Sequence, residues 1–325
     1  MNTDLPDRLL VAVGGNATHP ENIEGTGQEQ EEYARRTAAA LLPLTSLDNE
    51  LIITHGNGPV VGKILMRQVM TRHVIAPMPL DICVAHSQGG IAYLLMQAIE
   101  NSLRETDNAR HVACLLTQVE VDPDDPAFDN PSKPIGTFFS QQDAQAVGSE
   151  LNWLMKEDSG RGWRHVVPSP KPRHICDISL IQTLARRGTI VIAGGGGGIP
   201  VVRGPKGVRH GVAAVVDKDL TSAHMANVLG IPVLMILTDV SKVAIDYGTP
   251  RQSGLGRVTL DELRALRAEG HFSAGSMGPK IDAAIGFLEG GGRKVVIGRL
   301  EEAMDAWRGT TGTHIITGND SSEPR

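Results

Sequence analysis

The stretch TIVIAGGGGGIP, residues 189–200, joins a short run of Thr, Ile, Val and Ala to five consecutive glycines. A run rich in β-branched residues is typical of a buried parallel strand and favours an α/β fold. Ordering five glycines costs conformational entropy, so we expect the folded protein to require bare backbone there. A flexible linker is the other interpretation, but apolar residues 199–202 follow at once and argue against it.

Two more glycine turns follow buried-strand patterns: GGN at 14–16 follows Leu9–Val13, and GNG at 56–58 follows Leu51–Thr54. Backbone amides at the carboxyl end of a parallel strand attract anions. Three such turns on one sheet predict a crevice for phosphate or carboxylate groups. GGN alone also fits a plain structural turn, and it has neither a Rossmann fingerprint nor a Walker loop.

The rest of the chain alternates short apolar runs with helical patterns, which predicts an open three-layer αβα sandwich around a mainly parallel sheet. The other predicted strands are His111–Leu116, Thr189–Ala193, Val233–Leu237 and Lys294–Ile297. The predicted helices are Gln28–Leu47, Pro59–Val74, Ser87–Arg104, Ile178–Arg187, Lys218–Leu229, Leu260–Glu269 and Pro279–Glu289.

Composition is that of an ordinary soluble protein: 325 residues, 41% hydrophobic and 21% charged, with net charge -6. The mild acidity and the lack of a dense basic run argue against nucleic acid binding. Cys83, Cys114 and Cys176 lack metal-ligand spacing and predict buried free thiols in a reducing cytoplasm. We see no signal peptide, and no apolar run approaches the roughly 20 residues that span a bilayer.

Two stretches interrupt the alternation. Residues 118–173 are rich in Pro, Asp and Gly, and a segment that long is typical of a functional loop or a small subdomain. Residues 203–211 are the predicted hinge between two lobes. We therefore expect an N-terminal lobe, 1–210, which includes the subdomain 118–173, and a C-terminal lobe, 211–325.

Two lysines stand at predicted helix starts. Lys218 lies in Asp217-Lys218-Asp219, where its charge opposes the helix dipole and suggests a phosphate ligand. A solvated first turn with Asp217 as the cap fits the same residues. Lys280 ends a second glycine-rich turn, GSMGPK at 275–280. Amides and lysines without a Ser-His-Asp set or a metal-ligand cluster indicate phosphoryl transfer, in which positioning and charge stabilisation dominate.

With these features, the chain resembles the carbamate kinases of the amino acid kinase superfamily, from about Leu9 to Ile316. The resemblance rests on motifs in a shared order: AVGGNA, THGNGPVVG, PLDICVAHSQG, TQVEVDPDDPAFDNPSKPIG, GWRHVVPSPKP, IVIAGGGGGIPVV, AVVDKDL, LTDV and GSMGPK. It implies an acceptor site in the N-terminal lobe, a nucleotide site in the C-terminal lobe and a protruding subdomain at 118–173. It also implies a reversible reaction between MgATP and carbamate that gives MgADP and carbamoyl phosphate.

The resemblance assigns roles residue by residue. Related kinases begin with Lys-x-Gly-Gly, whereas this chain has Ala12, so the phosphoryl-binding charge is expected from Lys133 of the protruding subdomain. Lys218 and Lys280 would stabilise the phosphoryl group, and Asp219 would hold the lysines. The expected phosphoryl and carbamate cradle is Gly14, Gly15, Asn16, Gly56, Asn57 and Gly58. The expected nucleotide contacts are Gly196, Gly197, Asp239, Tyr247, Met277 and Gly278, although a core or surface role fits Tyr247 and Met277 equally.

The same resemblance implies ATP or ADP as nucleotide and Mg²⁺ held through the phosphates, since the chain shows no dedicated metal cage. It also implies a homodimer, which we expect to be cytoplasmic, while the pathway that it serves, the breakdown of arginine, agmatine or purines, stays open. The chain departs from the family pattern at His19, His86 and Ala213, and the two histidines could be new acceptor contacts or tolerated neighbours of the site.

Three other functions stay open at this stage. Another small carboxylate could be the acceptor, and a nucleotide-binding regulator could have lost catalysis, although the retained lysines argue against that loss. A Rossmann dehydrogenase is disfavoured because no Gly-x-Gly-x-x-Gly follows the first strand.

Overall fold

The computed structural model describes residues 5–15, 19–20, 23–45, 48–106, 108–158, 160–273 and 277–318. The central element is an eight-stranded sheet in the order β15-β17-β16-β12-β1-β2-β9-β3, parallel apart from the β16–β17 pair. Its strands are β1 (Arg8–Val13), β2 (Glu50–His55), β3 (Val112–Cys114), β9 (Ile190–Ile192), β12 (Val233–Thr238), β15 (Arg257–Thr259), β16 (Lys294–Arg299) and β17 (Thr313–Ile316). The three-layer fold predicted from the sequence is confirmed.

Helices cover both faces of this sheet. The helices of the described residues are α1 (Gly27–Leu41), α2 (Gly58–Thr71), α3 (Leu80–Arg104), α4 (Gln141–Leu151), α5 (Ile178–Arg186), α6 (Lys218–Leu229), α7 (Leu260–Ala268), α8 (Met277–Glu289) and α9 (Ala303–Arg308). Of these, α4 packs on a separate small sheet rather than on the main one. Alternate residues of β1 serve the two cores: Leu10 and Ala12 pack toward α5–α8, whereas Leu9 and Val11 pack toward α1, α3 and α9. This alternation follows from the two-residue period of a strand.

A second, four-stranded sheet has the order β11-β10-β4-β8. It contains β4 (Gln118–Val121), β8 (Pro172–Ile175), β10 (Ile199–Arg203) and β11 (Arg209–Gly211). Residues 203–211, the predicted hinge between the lobes, form an antiparallel hairpin in which Arg203 pairs with Arg209 and Val201 with Gly211. The apolar run 199–202 supplies the strand, and the glycines between the strands supply the turn.

The middle of the 118–173 segment forms its own small sheet, β5-β7-β6, accompanied by α4. These strands are β5 (Lys133–Phe139), β6 (Met155–Glu157) and β7 (Trp163–Val167). A two-stranded ribbon joins β13 (Ala244–Ile245) to β14 (Ser253–Gly254). The small-subdomain interpretation of this long segment thus agrees with the structure, while its two ends belong to the four-stranded sheet.

Helix α3 is longer and more apolar than the sequence analysis expected. It contains an 18-residue window with a mean hydropathy of 1.2, enough by length and composition to cross a membrane. Within the fold, 44% of that window is buried, and Leu95, Ile99 and Leu103 pack in the core. We interpret α3 as a core helix. The three cysteines are free thiols, as predicted, with Cys83 and Cys176 buried and Cys114 half-buried.

Candidate active site

A cavity of about 260 Å³ lies at the carboxyl edge of the main sheet. Gly14 follows β1, Gly56 follows β2 and Thr238 ends β12, and all three residues line this cavity. The first residues of α2, α6 and α8 close it from the helix side. Strand carboxyl ends and helix amino ends therefore converge on one volume, which is the geometry expected of an anion site.

Residues 14–15 and 56–58, here called the ligand-facing loops, bring their backbones together at the cavity floor. The Gly14 amide donates to the Leu237 carbonyl at 2.8 Å, and the Gly56 amide donates to the Val13 carbonyl at 3.0 Å. A Cβ on Gly56 would lie 2.7 Å from the Gly15 nitrogen, so only glycine fits there. A Cβ on Gly15 would meet nothing closer than 3.7 Å, so the fold itself leaves room at that position.

Asn57 is buried and held in one orientation. Its Nδ2 donates to Ser87 Oγ at 2.8 Å, and that hydroxyl donates to the Val84 carbonyl at 2.6 Å. Asn57 lines the cavity beside Gly58, the first residue of α2. Asn16, predicted to act with Asn57, lies outside the described residues.

Three lysines and two aspartates form the charged wall of the cavity, here called the lysine–aspartate cluster. Lys133 of β5 donates to Asp217, and Lys218 donates to one oxygen of Asp219. Lys280 of α8 reaches the other oxygen of Asp219 at 3.3 Å. The cluster carries one excess positive charge, and its residues come from the protruding subdomain, α6 and α8.

Asp217 has two functions in the site. Its carboxylate caps α6 by accepting from the Asp219 amide at 2.8 Å and the Leu220 amide at 3.4 Å. Its other oxygen accepts from Lys133. Lys218 is nevertheless buried rather than solvated, at 8% exposure, so the interpretation of a wet first turn is wrong.

Burial and mutual attraction shift the pKa values of this cluster. Burial would raise the pKa of Asp217, but Lys133 and Lys218 outweigh it and hold the value well below its ordinary range. The pKa of Asp219 is likewise lowered, because Lys218 and Lys280 outweigh its burial. Burial also opposes the charge of Lys280, yet Asp219 and Asp217 raise its pKa.

Lys218 responds in the opposite direction from Lys280. Burial lowers the pKa of Lys218, the Asp219 carboxylate opposes that shift, and repulsion from Lys280 adds to it. Two cations in one low-dielectric site repel each other, so the cluster stores positive potential that an incoming phosphate would neutralise.

Residues 194–198, here called the supporting loop, use their glycines differently from what the sequence suggested. Gly194, Gly196, Gly197 and Gly198 have φ between +62° and +90°. A Cβ on Gly195 would lie 2.3 Å from His55 Nε2, and one on Gly196 would lie 2.2 Å from Asn57 Nδ2. Packing of other protein groups, rather than a ligand, requires most of this bare backbone.

Gln88 ties the supporting loop to its neighbours. Its Nε2 donates to the carbonyls of Gly195 at 2.9 Å and Thr117 at 3.1 Å, and its Oε1 accepts from the Thr117 amide. Within the supporting loop, only Gly196 lines the cavity, while Gly197 is buried and its carbonyl accepts from Thr221. The supporting loop therefore packs directly against the side chains of Asn57 and His55.

The predicted nucleotide contacts divide into two groups. Gly196 and Asp239 line the cavity. Tyr247, Met277 and Gly278 do not: Tyr247 is 73% exposed, and Met277 packs against the hydrophobic core. Gly278 is needed for the start of α8, because a Cβ there would lie 2.8 Å from the Ser273 carbonyl oxygen.

The departures from the family pattern lie away from the cavity wall. His86 and Ala213 are exposed. His19 is buried, and Lys63 Nζ lies 2.9 Å from its Nε2. Burial lowers the pKa of His19 to about 4, with Lys63 adding to the effect, so the ring is neutral near pH 7. None of the three lines the cavity.

Sequence reasoning missed Arg164 on β7. This guanidinium lines the cavity at 6% exposure, donates from Nη1 to Asp158 Oδ2 at 3.1 Å and stacks over the Phe138 ring at 5.0 Å. An arginine inside the short strand Trp163–Val167 was the available signal, because a charged residue among apolar neighbours is buried only when it is paired. The subdomain thus presents two cations, Lys133 and Arg164.

Comparison with known proteins identifies the family. Residues 7–299 match the amino acid kinase family. The chain is 44% identical to carbamate kinase from Pyrococcus horikoshii over 313 residues, which is 96% of this chain and 99% of that protein.

Solved structures give the same result. Carbamate kinase from Giardia lamblia bound to citric acid superposes with a TM-score of 0.90 at 39% identity, covering 96% of this chain and 98% of that one. Carbamate kinase from Giardia lamblia bound to AMP-PNP superposes with a TM-score of 0.87, with the same identity and coverage. This chain therefore belongs to the amino acid kinase family and, within it, to the carbamate kinases.

Proposed function

We propose that this protein is a carbamate kinase that transfers a phosphoryl group between carbamoyl phosphate and ADP, and that it is used mainly to form ATP. The observation that carries the proposal is the lysine–aspartate cluster beside two glycine loops in one cavity. Among the described residues that line this cavity there is no Ser, Cys or His. Such a site supplies positive charge and backbone amides, and the carboxylates of its lysine–aspartate cluster are already bound by lysines, which favours direct transfer over a covalent intermediate.

In the ATP-forming direction, a terminal oxygen of the ADP β-phosphate attacks the phosphorus of carbamoyl phosphate. The bond between that phosphorus and the carbamoyl oxygen breaks, and carbamate leaves with the electron pair. Negative charge is redistributed over the transferring group, where Lys218 and Lys280 would stabilise it. Preorganised cations act strongly here because the cluster is largely buried and its carboxylates already fix the lysines.

The remaining residues have supporting roles in this proposal. Gly14, Gly15, Gly56 and Gly58 present backbone to the transferred group, and Asn57 is oriented by Ser87 to hold the carbamoyl end. Lys133 would contact the same group from the protruding subdomain, and Asp219 is a positioning residue for Lys218 and Lys280. Arg164 offers a second subdomain cation.

The acceptor lobe is proposed to be residues 1–210 and the nucleotide lobe residues 211–325. The nucleotide is proposed to lie against Asp239 of the nucleotide lobe and to contact Gly196 of the acceptor lobe. A solved relative, the Giardia lamblia enzyme, is described as bound to AMP-PNP, an ATP analogue. The lobes share the main sheet, since β1 pairs directly with β12.

Mg²⁺ fits this site through the phosphates. Within the described ranges, no group of three or more His, Cys, Asp or Glu side chains could hold a metal ion. Asp217 and Asp219 are bound by lysines, and the nucleotide phosphates and water are natural ligands of a hard cation. Bound Mg²⁺ would neutralise phosphate charge during transfer. We further propose a cytoplasmic homodimer that serves a catabolic supply of carbamoyl phosphate, such as arginine breakdown.

ATP formation from rival donors tests the proposal. Purified protein with ADP and Mg²⁺ is given carbamoyl phosphate, acetyl phosphate or N-acetylglutamyl phosphate, and ATP is read by coupled luminescence. We expect ATP from carbamoyl phosphate. ATP from another donor alone would reassign the acceptor to a different small carboxylate, and ADP binding without ATP from any donor would indicate a regulator.

A further inference from the structure

Helix α2 and strand β5 touch backbone to backbone at two glycines. A Cβ on Gly62 would lie 2.0 Å from the Gly136 Cα and 2.2 Å from the Gly136 nitrogen. Gly136 itself has a φ of +76°, a conformation that side chains rarely adopt. Both atoms that block a side chain on Gly62 belong to the backbone, so no rotamer change could relieve the contact.

A small apolar cluster surrounds these glycines, and together they are here called the subdomain seat. Its members are Gly62, Gly136, Val61, Ile135, Val167 and Val215. The four apolar side chains are at most 4% exposed. The seat joins α2 and the segment before α6 to β5 and β7 of the protruding subdomain.

The seat is adjacent to both ends of the ion pair between Lys133 and Asp217. Ile135 follows Lys133 by two residues, and Val215 precedes Asp217 by two. Lys133 pairs with Val167 in the β5–β7 ladder, and the Val215 amide donates to the Pro168 carbonyl at 3.0 Å. At about 3.3 Å per residue, Lys133 lies roughly 10 Å along β5 from Gly136.

We propose that Gly62 is a positioning residue for Lys133: its bare backbone sets how closely the subdomain docks on α2, and so where the Lys133 ammonium sits in the cavity. This inference rests on the proposed phosphoryl-transfer function. The seat explains why a glycine occupies an interior position of α2, where alanine would stabilise an isolated helix.

The contact between Gly62 and Gly136 sets how much turnover a side chain on Gly62 should cost. A methyl carbon on Gly62 would lie 2.0 Å from the Gly136 Cα, whereas ordinary van der Waals contact begins near 3.4 Å, so the two backbones would have to separate by more than 1 Å. A misplacement of about 1 Å can cost a reaction about 100-fold. The nucleotide side of the cavity lies on other elements, so ADP affinity would stay unchanged.

The experiment compares Gly62→Ala with Gly286→Ala, a matched change in α8 where a Cβ would meet nothing within 4 Å. We expect kcat for ATP formation from carbamoyl phosphate to fall about 10- to 100-fold in Gly62→Ala. We expect the KM for ADP to stay within about twofold, and Gly286→Ala to match the wild type. In the Lys133→Ala background, adding Gly62→Ala should cost little more, because the lysine that it misplaces is already gone.

A second readout does not depend on activity. Mass-spectrometric acetylation should label Lys133 faster in Gly62→Ala than in Gly286→Ala, because the ion pair with Asp217 is broken. If Gly62→Ala does not fold, Ile135→Val trims the same seat and should show a smaller kcat loss with the same dependence on Lys133.

Two results would overturn the inference. One is a Gly62→Ala variant whose kcat and Lys133 acetylation rate both equal those of the wild type. The other is a double variant whose loss of kcat is the product of the losses in Gly62→Ala and Lys133→Ala. If the wild type forms no ATP from any donor, the proposed function fails instead, and the labelling of Lys133 alone decides whether the seat positions it.

Discussion

The ligand-facing loops and the supporting loop look alike in sequence but use glycine for different purposes. At Gly15, a Cβ would have ordinary room, and the bare backbone faces the cavity. At Gly195, a Cβ would collide with the buried His55 ring, and the residue does not line the cavity. In the first set, Gly15 and Gly58 leave room for a ligand, although packing also requires Gly56; the second set mostly lets the protein pack beside residues that line the cavity. The two sets should therefore fail in different ways when substituted.

The largest expected effect on turnover comes from changes in the lysine–aspartate cluster. Lys218→Ala and Lys280→Ala should each lower kcat about 100- to 1,000-fold, or about 3–4 kcal/mol, because each removes a preorganised cation from the transition state. Nucleotide affinity should change little. Steady-state kinetics and ADP titration measure the two quantities.

Stability should also change little in both lysine variants. The lysine–aspartate cluster has one lysine more than it has aspartates, so either change leaves two of each. Thermal unfolding provides the control. Wild-type turnover in both variants would show that these lysines do not act on the transferring group.

Next in size is a change in the supporting loop. Gly195→Ala should lower the free energy of unfolding by about 1–3 kcal/mol, since its methyl group overpacks a buried site against His55. Denaturant unfolding monitored by circular dichroism measures this loss. An unchanged midpoint would mean that the supporting loop yields easily and that packing does not explain its glycines.

Gly15→Ala is the contrasting variant in the ligand-facing loops. Its methyl group meets nothing closer than 3.7 Å, so the unfolding midpoint should stay at the wild-type value. Catalytic efficiency should fall about tenfold, roughly 1.4 kcal/mol, because the methyl group occupies space meant for the ligand. Steady-state kinetics and denaturant unfolding on the same preparation test the expected loss of catalytic efficiency and the unchanged stability. Lost stability with retained activity would reverse the distinction between the loops.

The smallest expected effect is a pH dependence that involves the supporting loop. Burial lowers the pKa of His55 to about 4, below its ordinary value of 6.5. The unfolded chain therefore binds a proton first as pH falls, and stability decreases below about pH 6.5. Between pH 6.5 and 5.5, His55 should account for about 1 kcal/mol of that decrease.

His19, which is buried, and His165, which is half-buried, also have pKa values near 4, so they add to the decline in the wild type. His55→Gln isolates one share of it. Denaturant unfolding at the two pH values should show a smaller decline in that variant, by about 1 kcal/mol. Equal declines in both proteins would mean that His55 is not held neutral by burial.

Much of the fold follows from local patterns. Strands such as Val233–Thr238 are short apolar runs, and α6 begins and ends where its Asp217 cap and Gly230 predict. Strands β15 and β17 were missed because Arg257–Thr259 and Thr313–Ile316 are short and carry polar residues. Helix α3 begins seven residues before the predicted start at Ser87. Pairing across the sheet, rather than local propensity, defines short strands such as β15 and β17.

The candidate site was predictable where a motif carried its own chemistry. Lys133, Lys218 and Lys280 converge although Lys133 lies 84 residues from its partner Asp217. That convergence was inferred from the family resemblance and not from spacing. Arg164, Ser87 and Gln88 were missed as functional residues because their roles depend on contacts between distant segments. The five glycines were expected to contribute to an anion crevice, but only Gly196 lines the cavity, because the sequence does not reveal which group packs against each one.

The central claim is direct phosphoryl transfer from carbamoyl phosphate to ADP. A ³¹P NMR time course with purified enzyme, Mg²⁺, carbamoyl phosphate and ADP tests it most directly, with an enzyme-free sample to correct for spontaneous breakdown. The account predicts that the carbamoyl phosphate signal declines as the γ-phosphate signal of ATP rises by the same amount. Release of inorganic phosphate with ADP unchanged, or a protein-bound phosphate that forms before ADP is added, would contradict it.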